Sequence, residues 1–375
     1  MLIVRRVVAT LAVVVAIPYL VAPVYRFPAE RTFSGPALRN PYAHLSGVWQ
    51  RANLHAHGYA WRGLTNGRQP DTEVVAAYKE RGYSVAGISN YHYIAADHGV
   101  DTLPLYEHGY NLLKQHQLAV GAHRVDWFDF PLWESLSQKQ YVIDRVARTA
   151  DLVAVTHPWS GYTEDDFRAL CGYELMEVVN GPYTNGEDLW DAALSSGHVV
   201  WAIANDDSHD VADVKRTAIA WNMIDAPTAG TADIVEALRA GRSYAVSLAG
   251  TTRDAELQSV ELHHQTLTVT AMGVPATFLF VGQQGTIRKT VDQAMTASYT
   301  LTPQDQYIRT VIRTPNLVMY LNPIIRHGGN VAAMAAGPTV NTLATWATRG
   351  VIVVACFAVV TALWKRSPGS RRRDV

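Results

Sequence analysis

At 375 residues the chain is long enough for about two domains, and its 48% hydrophobic against 17% charged residues allow a sizeable buried core. The formal net charge of −1 provides no global basic field, so no nucleic-acid partner is expected. The two cysteines, Cys171 and Cys356, argue against a disulfide framework, because Cys356 lies inside an apolar run.

In chain order, Arg5 and Arg6 precede an uncharged run from Val7 to Tyr25. At 1.5 Å per residue it reaches about 28 Å, enough to cross a hydrocarbon core. It is long for the apolar part of a signal peptide, and Leu20-Val21-Ala22 is a poor Ala-x-Ala cleavage site. Residues 1–27 are read as an uncleaved signal anchor and 28–47, with Pro, Gly and Arg, as a linker.

From Val48 to about Leu248, apolar runs ending in polar residues alternate with helical stretches. Asn53–His57 closes the first run. Pro70-Asp71-Thr72-Glu73 opens a helix with an acidic first turn. Further runs are Ser84–Ser89, Leu118–His123 after a helix containing Tyr110–Lys114, Leu152–Thr156, Glu174–Val179, Val199–Ala204, Thr217–Met223 and Ser243–Leu248. Strands apolar on both faces and separated by helices imply a parallel sheet. Seven or eight such units predict an α/β fold, a closed (β/α)7-8 barrel over residues 48–250, with its site at the strands' C-terminal ends. A doubly wound open sheet is the alternative, but no Gly-x-Gly-x-x-Gly follows any strand.

From Leu257 the pattern alternates with period two, in Val260–Leu262, Leu267–Thr270, Phe278–Val281 and Tyr307–Ile312. Residues 251–330 are therefore read as a small antiparallel, sandwich-like β domain. Gly350 to Trp364 is again apolar, followed by Lys365, Arg366 and Arg371-Arg372-Arg373. A second span over 343–364, anchored by Trp346 and Trp364, and a basic cytoplasmic tail at 365–375 follow from this pattern. The alternative is a hydrophobic helix packed on the domain. Both termini are then cytoplasmic and the bilayer is a partner, with residues 28–342 on the far side of the cell membrane.

The chemistry concentrates at predicted strand ends. His55-x-His57 places two imidazoles on one face of an extended segment. His123, His157-Pro158 and Asp207-x-His209 close later runs. Neutral imidazoles with carboxylates suit Zn²⁺, Mn²⁺ or Fe²⁺. His108, His116 and His263-His264 are read as surface or core residues.

The stretch from Val48 to Leu248 resembles the PHP family, named for polymerase and histidinol phosphatase. His55 and His57 look like its His-x-His motif, His157-Pro158 like its His-Pro motif, and Asp207-Ser208-His209 like its closing Asp-x-His. Glu177 and Asn180 look like its Glu-x-x-Asn. The resemblance implies a distorted (β/α)₇ barrel that binds up to three metals, and phosphoesterase chemistry. The departures bear on that count. Asn66-Gly67 stands where the family carries an Asp or His before Gly. Ser89-Asn90-Tyr91 stands for Thr-Asp-His, with His92 displaced by one, and a one-residue shift reverses the face of an extended side chain. His123 stands at the place of a metal-bridging Glu, and an imidazole has one free lone pair to give.

One or two ions are therefore expected. His55, His57, His123 and Asp207 form the better site. His157 and Glu177 hold a second ion, His209 ligates or orients a neighbour, and His92 is a ligand only if a bulge realigns it. Asp206, Asp207 or His209 would manage the proton, and Arg62 and Lys139 would hold a phosphate oxygen. The expected function is a membrane-anchored phosphoesterase acting on a phosphorylated or cell-envelope substrate. The alternatives are a binding protein on a decayed barrel and a metal-dependent hydrolase of other esters or amides.

Overall fold

The computed structural model describes residues 2–183, 186–329 and 337–364. The expected tail at 365–375 lies outside them. Strands at Trp49–Asn53, Gln117–Ala122, Ala150–Val155, Leu175–Asn180, Trp201–Asn205, Ala220–Asp225 and Ser243–Leu248 answer to predicted runs. The helix Asp71–Glu80 starts after Pro70, carries Asp71 and Glu73 in its first turn and buries Val74, Val75 and Tyr78. It stops at Gly82, whose φ of +82° suits a residue without Cβ. The helix Leu136–Val146 opens on a capping box between Ser135 and Gln138.

The architecture is mixed α/β in several sheets, and among the described residues no closed barrel ladder forms. A five-stranded sheet runs Leu105–His108, Gln117–Ala122, Ala150–Val155, Leu175–Asn180, Trp201–Asn205. A ten-stranded sheet contains Trp49–Asn53 with Val85–Ala86 at one end, then Ala220–Asp225, Ser243–Leu248, Leu317–Leu321, Tyr307–Arg313, Ala276–Val281 and Ile287–Ala294. Strands from beyond position 250 thus share a sheet with the strand that leads to His55. A three-stranded sheet of Ala255–His263, Thr266–Gly273 and Thr296–Thr300 is separate from it.

Direction departs from the all-parallel expectation. Gln117–Ala122 runs antiparallel to both its neighbours, and Ala220–Asp225 is antiparallel to Trp49–Asn53 and Ser243–Leu248. The segment Tyr110–Lys114 is a turn rather than a helix, and Leu105–His108 before it is a strand. A short connection between adjacent strands forces an antiparallel pair, since a parallel crossover needs a dozen or more residues.

Side-chain amides span the seam between the two sheets. Asn205 Oδ1 accepts from the N–H of Leu54 at 2.8 Å, and Asn222 Oδ1 accepts from that of Ala204 at 2.9 Å. The N–H of Asp206 donates to Asn53 Oδ1 at 2.9 Å. Below the seam, Leu54 and Ala52 from one sheet share a buried core with Leu118, Leu152, Leu175 and Ile203 from the other. These bonds satisfy buried backbone groups that no ladder reaches, and they hold residues 53–57 alongside 205–209.

Two helices, Leu2–Val21 and Thr342–Trp364, are long and apolar enough to cross a membrane. They meet where they join the body. The N–H of Asn341 donates to the Val24 carbonyl at 2.8 Å, and Arg349 donates to that of Val21 at 2.9 Å.

Candidate metal centre

His55 and His57 leave the C-terminal end of strand Trp49–Asn53, and both are buried. Asp207 leaves Trp201–Asn205 beside them. Its N–H donates to the His55 carbonyl at 2.9 Å, and that of His57 donates to the Ser208 carbonyl at 2.7 Å. The paired backbones bring the side chains together: Asp207 Oδ1 lies 3.2 Å from Nε2 of both histidines. Asp207 holds a left-handed φ of 48°, which costs about 1 kcal/mol outside glycine, and its bond to His55 keeps it there.

Glu107, buried on strand Leu105–His108, divides its carboxylate between two clusters. Oε2 lies 3.4 Å from His55 Nε2 and 3.2 Å from His57 Nε2. Oε1 lies 2.8 Å from His116 Nδ1 and 3.2 Å from His157 Nε2. Two triads therefore gather, His55–His57–Asp207 and Glu107–His116–His157, each with its ligand atoms within 4.8 Å of one another.

The donor set fits divalent ions. His55 Nε2, His57 Nε2, Glu107 Oε2 and Asp207 Oδ1 are buried without a hydrogen-bond partner, which costs roughly 1–3 kcal/mol per group unless something satisfies them. A tetrahedral ion with bonds of about 2.0–2.1 Å spaces its ligands about 3.3 Å apart. The imidazole nitrogens and carboxylate oxygens here stand 3.2–3.4 Å apart. The electrostatics agree. Burial disfavours charge on His55, yet Asp207, Glu177 and Glu107 hold its pKa well above the ordinary value. Burial would raise Glu107, and the imidazoles of His55 and His116 instead hold it well below the usual carboxylate range. The pocket calls for positive charge among its carboxylates.

Glu177 orients ligands rather than facing an ion. Its Oε1 lies 2.9 Å from His55 Nδ1 and accepts from Asn205 Nδ2 at 2.9 Å, while Oε2 accepts from the N–H of His157 at 2.8 Å and Asn180 Nδ2 at 2.9 Å. The bond from His55 Nδ1 fixes the tautomer that turns Nε2 toward Asp207 and Glu107.

The other expected residues divide. His209 is close by, stacked on His57 at 4.3 Å. Its Nδ1 is 2.9 Å from the Asp207 carbonyl, and Nε2 is buried and unpartnered. Burial and the neighbouring His57 push its pKa down to about 4, so the ring is neutral. Asp206 faces away. Its carboxylate accepts from Tyr78 Oη at 2.7 Å and from the N–H groups of Ala218, Ile219 and Ala220, so it anchors that turn instead of moving a proton.

His92 does not replace a ligand, because both of its ring nitrogens are engaged away from the centre. Its Nε2 accepts from the N–H of Gly109 at 3.2 Å and Nδ1 lies 2.9 Å from the Asp126 carbonyl. Tyr91 occupies the site instead, stacked on His57 at 4.7 Å. Its phenol is kept neutral by burial and by the charges of Glu107 and Asp207. His123 is outside the centre: its side chain is 65% exposed and 3.4 Å from Asp151. Lys139 is buried against Asp166 at 2.6 Å and the Gly161 carbonyl at 2.9 Å, so its ammonium is spoken for. Arg62 and Asn66 are exposed on the loop after His57.

Glu107 and His116 were missed, Glu107 because Leu105–His108 was not among the predicted strands and His116 because of strand direction. On Gln117–Ala122, antiparallel to Ala150–Val155, it is the residue before the strand that reaches the centre. His123, after it, reaches the opposite rim beside Asp151. The signal available was the lone acid in the apolar run Leu103-Pro104-Leu105-Tyr106-Glu107.

No protein-family model and no curated protein matches this sequence. Among solved structures, the chain is similar to a two-domain protein from Bacteroides vulgatus containing a predicted PHP-like metal-dependent phosphoesterase. The two are 12% identical over 84% of this chain and 99% of that one, with a TM-score of 0.40.

Proposed function

We propose that this chain is a metal-dependent hydrolase of a phosphate ester. The carrying observation is the buried Glu107 carboxylate shared between two triads of ligand type. His55, His57, Asp207 and Glu107 would hold one divalent ion, and Glu107, His116 and His157 a second. The resemblance of His55-x-His57, His157-Pro158 and Asp207-x-His209 to PHP motifs supports phosphoester chemistry. Glu107 supports it further, since it supplies the shared carboxylate that His123 could not.

A bound divalent ion supplies a more acidic water and polarises a phosphoryl oxygen. The chain's own groups do the rest. His209 holds a neutral ring with Nε2 free to take a proton from the attacking water or carry one to the leaving oxygen. Tyr91 keeps a protonated hydroxyl at the centre, able to donate to a phosphoryl oxygen. Glu177 and Asn180 hold His55 and His157 in place.

The two apolar helices support membrane anchoring, and the flanking arginines support a body on the far side of the cell membrane. A reporter fused after Val375 is expected to read as cytoplasmic. For the chemistry, metal analysis of purified protein is paired with hydrolysis of an aryl phosphate by wild type and by a His55→Ala/His57→Ala double variant. Metal-dependent turnover lost in the double variant supports the reading. Bound metal with no turnover on any phosphomonoester or diester would return the chain to a binding role.

A further inference from the structure

The metal centre and the first apolar helix are linked by one loop. Tyr19, in the last turn of helix Leu2–Val21, donates its hydroxyl to the Trp133 carbonyl at 3.1 Å and accepts from the N–H groups of Leu132 and Trp133. Its ring lies 5.8 Å from that of Trp133 and 5.2 Å from that of Phe130. Earlier in the same loop, Trp127 meets Trp61 edge-on at 5.6 Å. Trp61 Nε1 donates to the Tyr91 carbonyl at 2.8 Å, and Tyr91 lies on the candidate ligand His57.

This connection carries an apolar surface that nothing among the described residues covers. Trp127 and Trp133 are each 58% exposed, Leu112 73% and Leu64 90%, with Leu113 and Trp61 also exposed. Leu112 and Leu113 join the patch through Tyr110, whose N–H and hydroxyl bond Asp129 in the same loop. Soluble proteins seldom leave so many large apolar side chains together in water. Arg62, Lys114 and Arg124 are exposed at its borders. Tryptophan with flanking cations is the composition of a surface that sits at lipid headgroups. If Leu2–Val21 crosses a bilayer, Tyr19 lies at its edge, and Trp133 lies at the same depth.

We propose that this patch rests on the bilayer the helices cross, and that the ester reaching the metal centre is carried by a lipid. The substrate class is an amphiphile with a phosphate ester in its headgroup. This rests on the hydrolase reading above. Water supplies an oxygen to phosphorus, the bond from phosphorus to the departing alkoxide breaks, and that oxygen takes up the proton the water releases.

The test uses the full chain in phosphatidylcholine nanodiscs. Brominated lipids are expected to quench tryptophan fluorescence more in wild type than in Trp127→Phe/Trp133→Phe. Equal quenching would overturn the docking, whatever the activity. The substrate arm compares a water-soluble aryl phosphate with phosphatidic acid, phosphatidylinositol and a long-chain prenyl phosphate in the discs. Leu112→Ser/Leu113→Ser/Trp133→Ser is expected to lose at least about tenfold on the lipid ester and stay within about twofold on the aryl phosphate. Turnover of the aryl phosphate with none of the lipids overturns the substrate class and leaves the hydrolase reading standing. Turnover of neither sinks both, while the quenching still decides the docking.

Discussion

Replacing Glu107 by Gln keeps the side chain's length and removes its charge. The amide has one acceptor oxygen and one NH₂, whereas the carboxylate presents an acceptor to each cluster, 3.2–3.4 Å from His55 and His57 and 2.8–3.2 Å from His116 and His157. Whichever way the amide turns, its NH₂ faces one pair of imidazoles, so one site loses a ligand outright. The other exchanges a charged ligand for a neutral one. A charge-assisted bond contributes about 1.5–3 kcal/mol and each 1.4 kcal/mol is tenfold. Each site should therefore weaken by roughly ten- to a hundredfold, and paired binding by the product. The assay is metal content after dialysis together with calorimetric titration, with circular dichroism to confirm the fold. The expected result is at most one equivalent retained. Two equivalents held at wild-type affinity would refute the shared-carboxylate arrangement. Glu177→Gln, which disturbs ligand orientation only, should keep both ions at about 10–100-fold lower affinity.

His116→Ala should cost one equivalent of metal and His123→Ala none; the reverse order would restore the ligand set expected from the sequence. Lys139→Met removes the cation from the buried Asp166, leaving it only its bonds from Thr163, so a loss of about 3 kcal/mol is expected in urea unfolding, with metal content unchanged. Glu134 is buried, and burial followed by the neighbouring Asp129 raises its pKa well above the ordinary value. As pH rises past the unfolded value near 4.5, the unfolded chain releases this proton while the folded one keeps it, so stability falls. Glu134→Gln removes that fall, and its melting temperature should gain on wild type between pH 4.5 and 8 (about 4.5 being the ordinary value); a pH-independent difference would refute the shift.

Much of the site was legible because local chemistry announces it. His55 and His57 are two apart and leave the strand on one face, whatever the strand pairs with. His157 and Asp207 end strands parallel to one another through Leu175–Asn180, so the rule of C-terminal ends held for them. It failed for Gln117–Ala122. A buried strand reads the same in either direction, since both faces are apolar, and nothing in Leu118–Ala122 says which end meets the centre. His123 closes that run and stands at the place of a family Glu, which put it in the expected site, while His116, before the run, was read as a surface or core residue.

Glu177 and Asp206 show a second limit. Residue type and position mark both as candidate acids, but a carboxylate's role depends on what fills its lone pairs. Four donors surround each one, and most of them come from other strands and turns, His55 for Glu177 and Tyr78 for Asp206 being more than a hundred residues away.

The amino-acid order by itself determined the apolar helices at both ends, the succession of strands and helices between them, and the first pair of imidazoles. These depend on periodicity and neighbouring residues. Tertiary structure alone decided that the sheets meet through amide side chains, that Glu107 is the shared carboxylate, and that His116 rather than His123 stands beside it. Those outcomes depend on strand direction and on contacts across many tens of residues, which a local pattern does not encode.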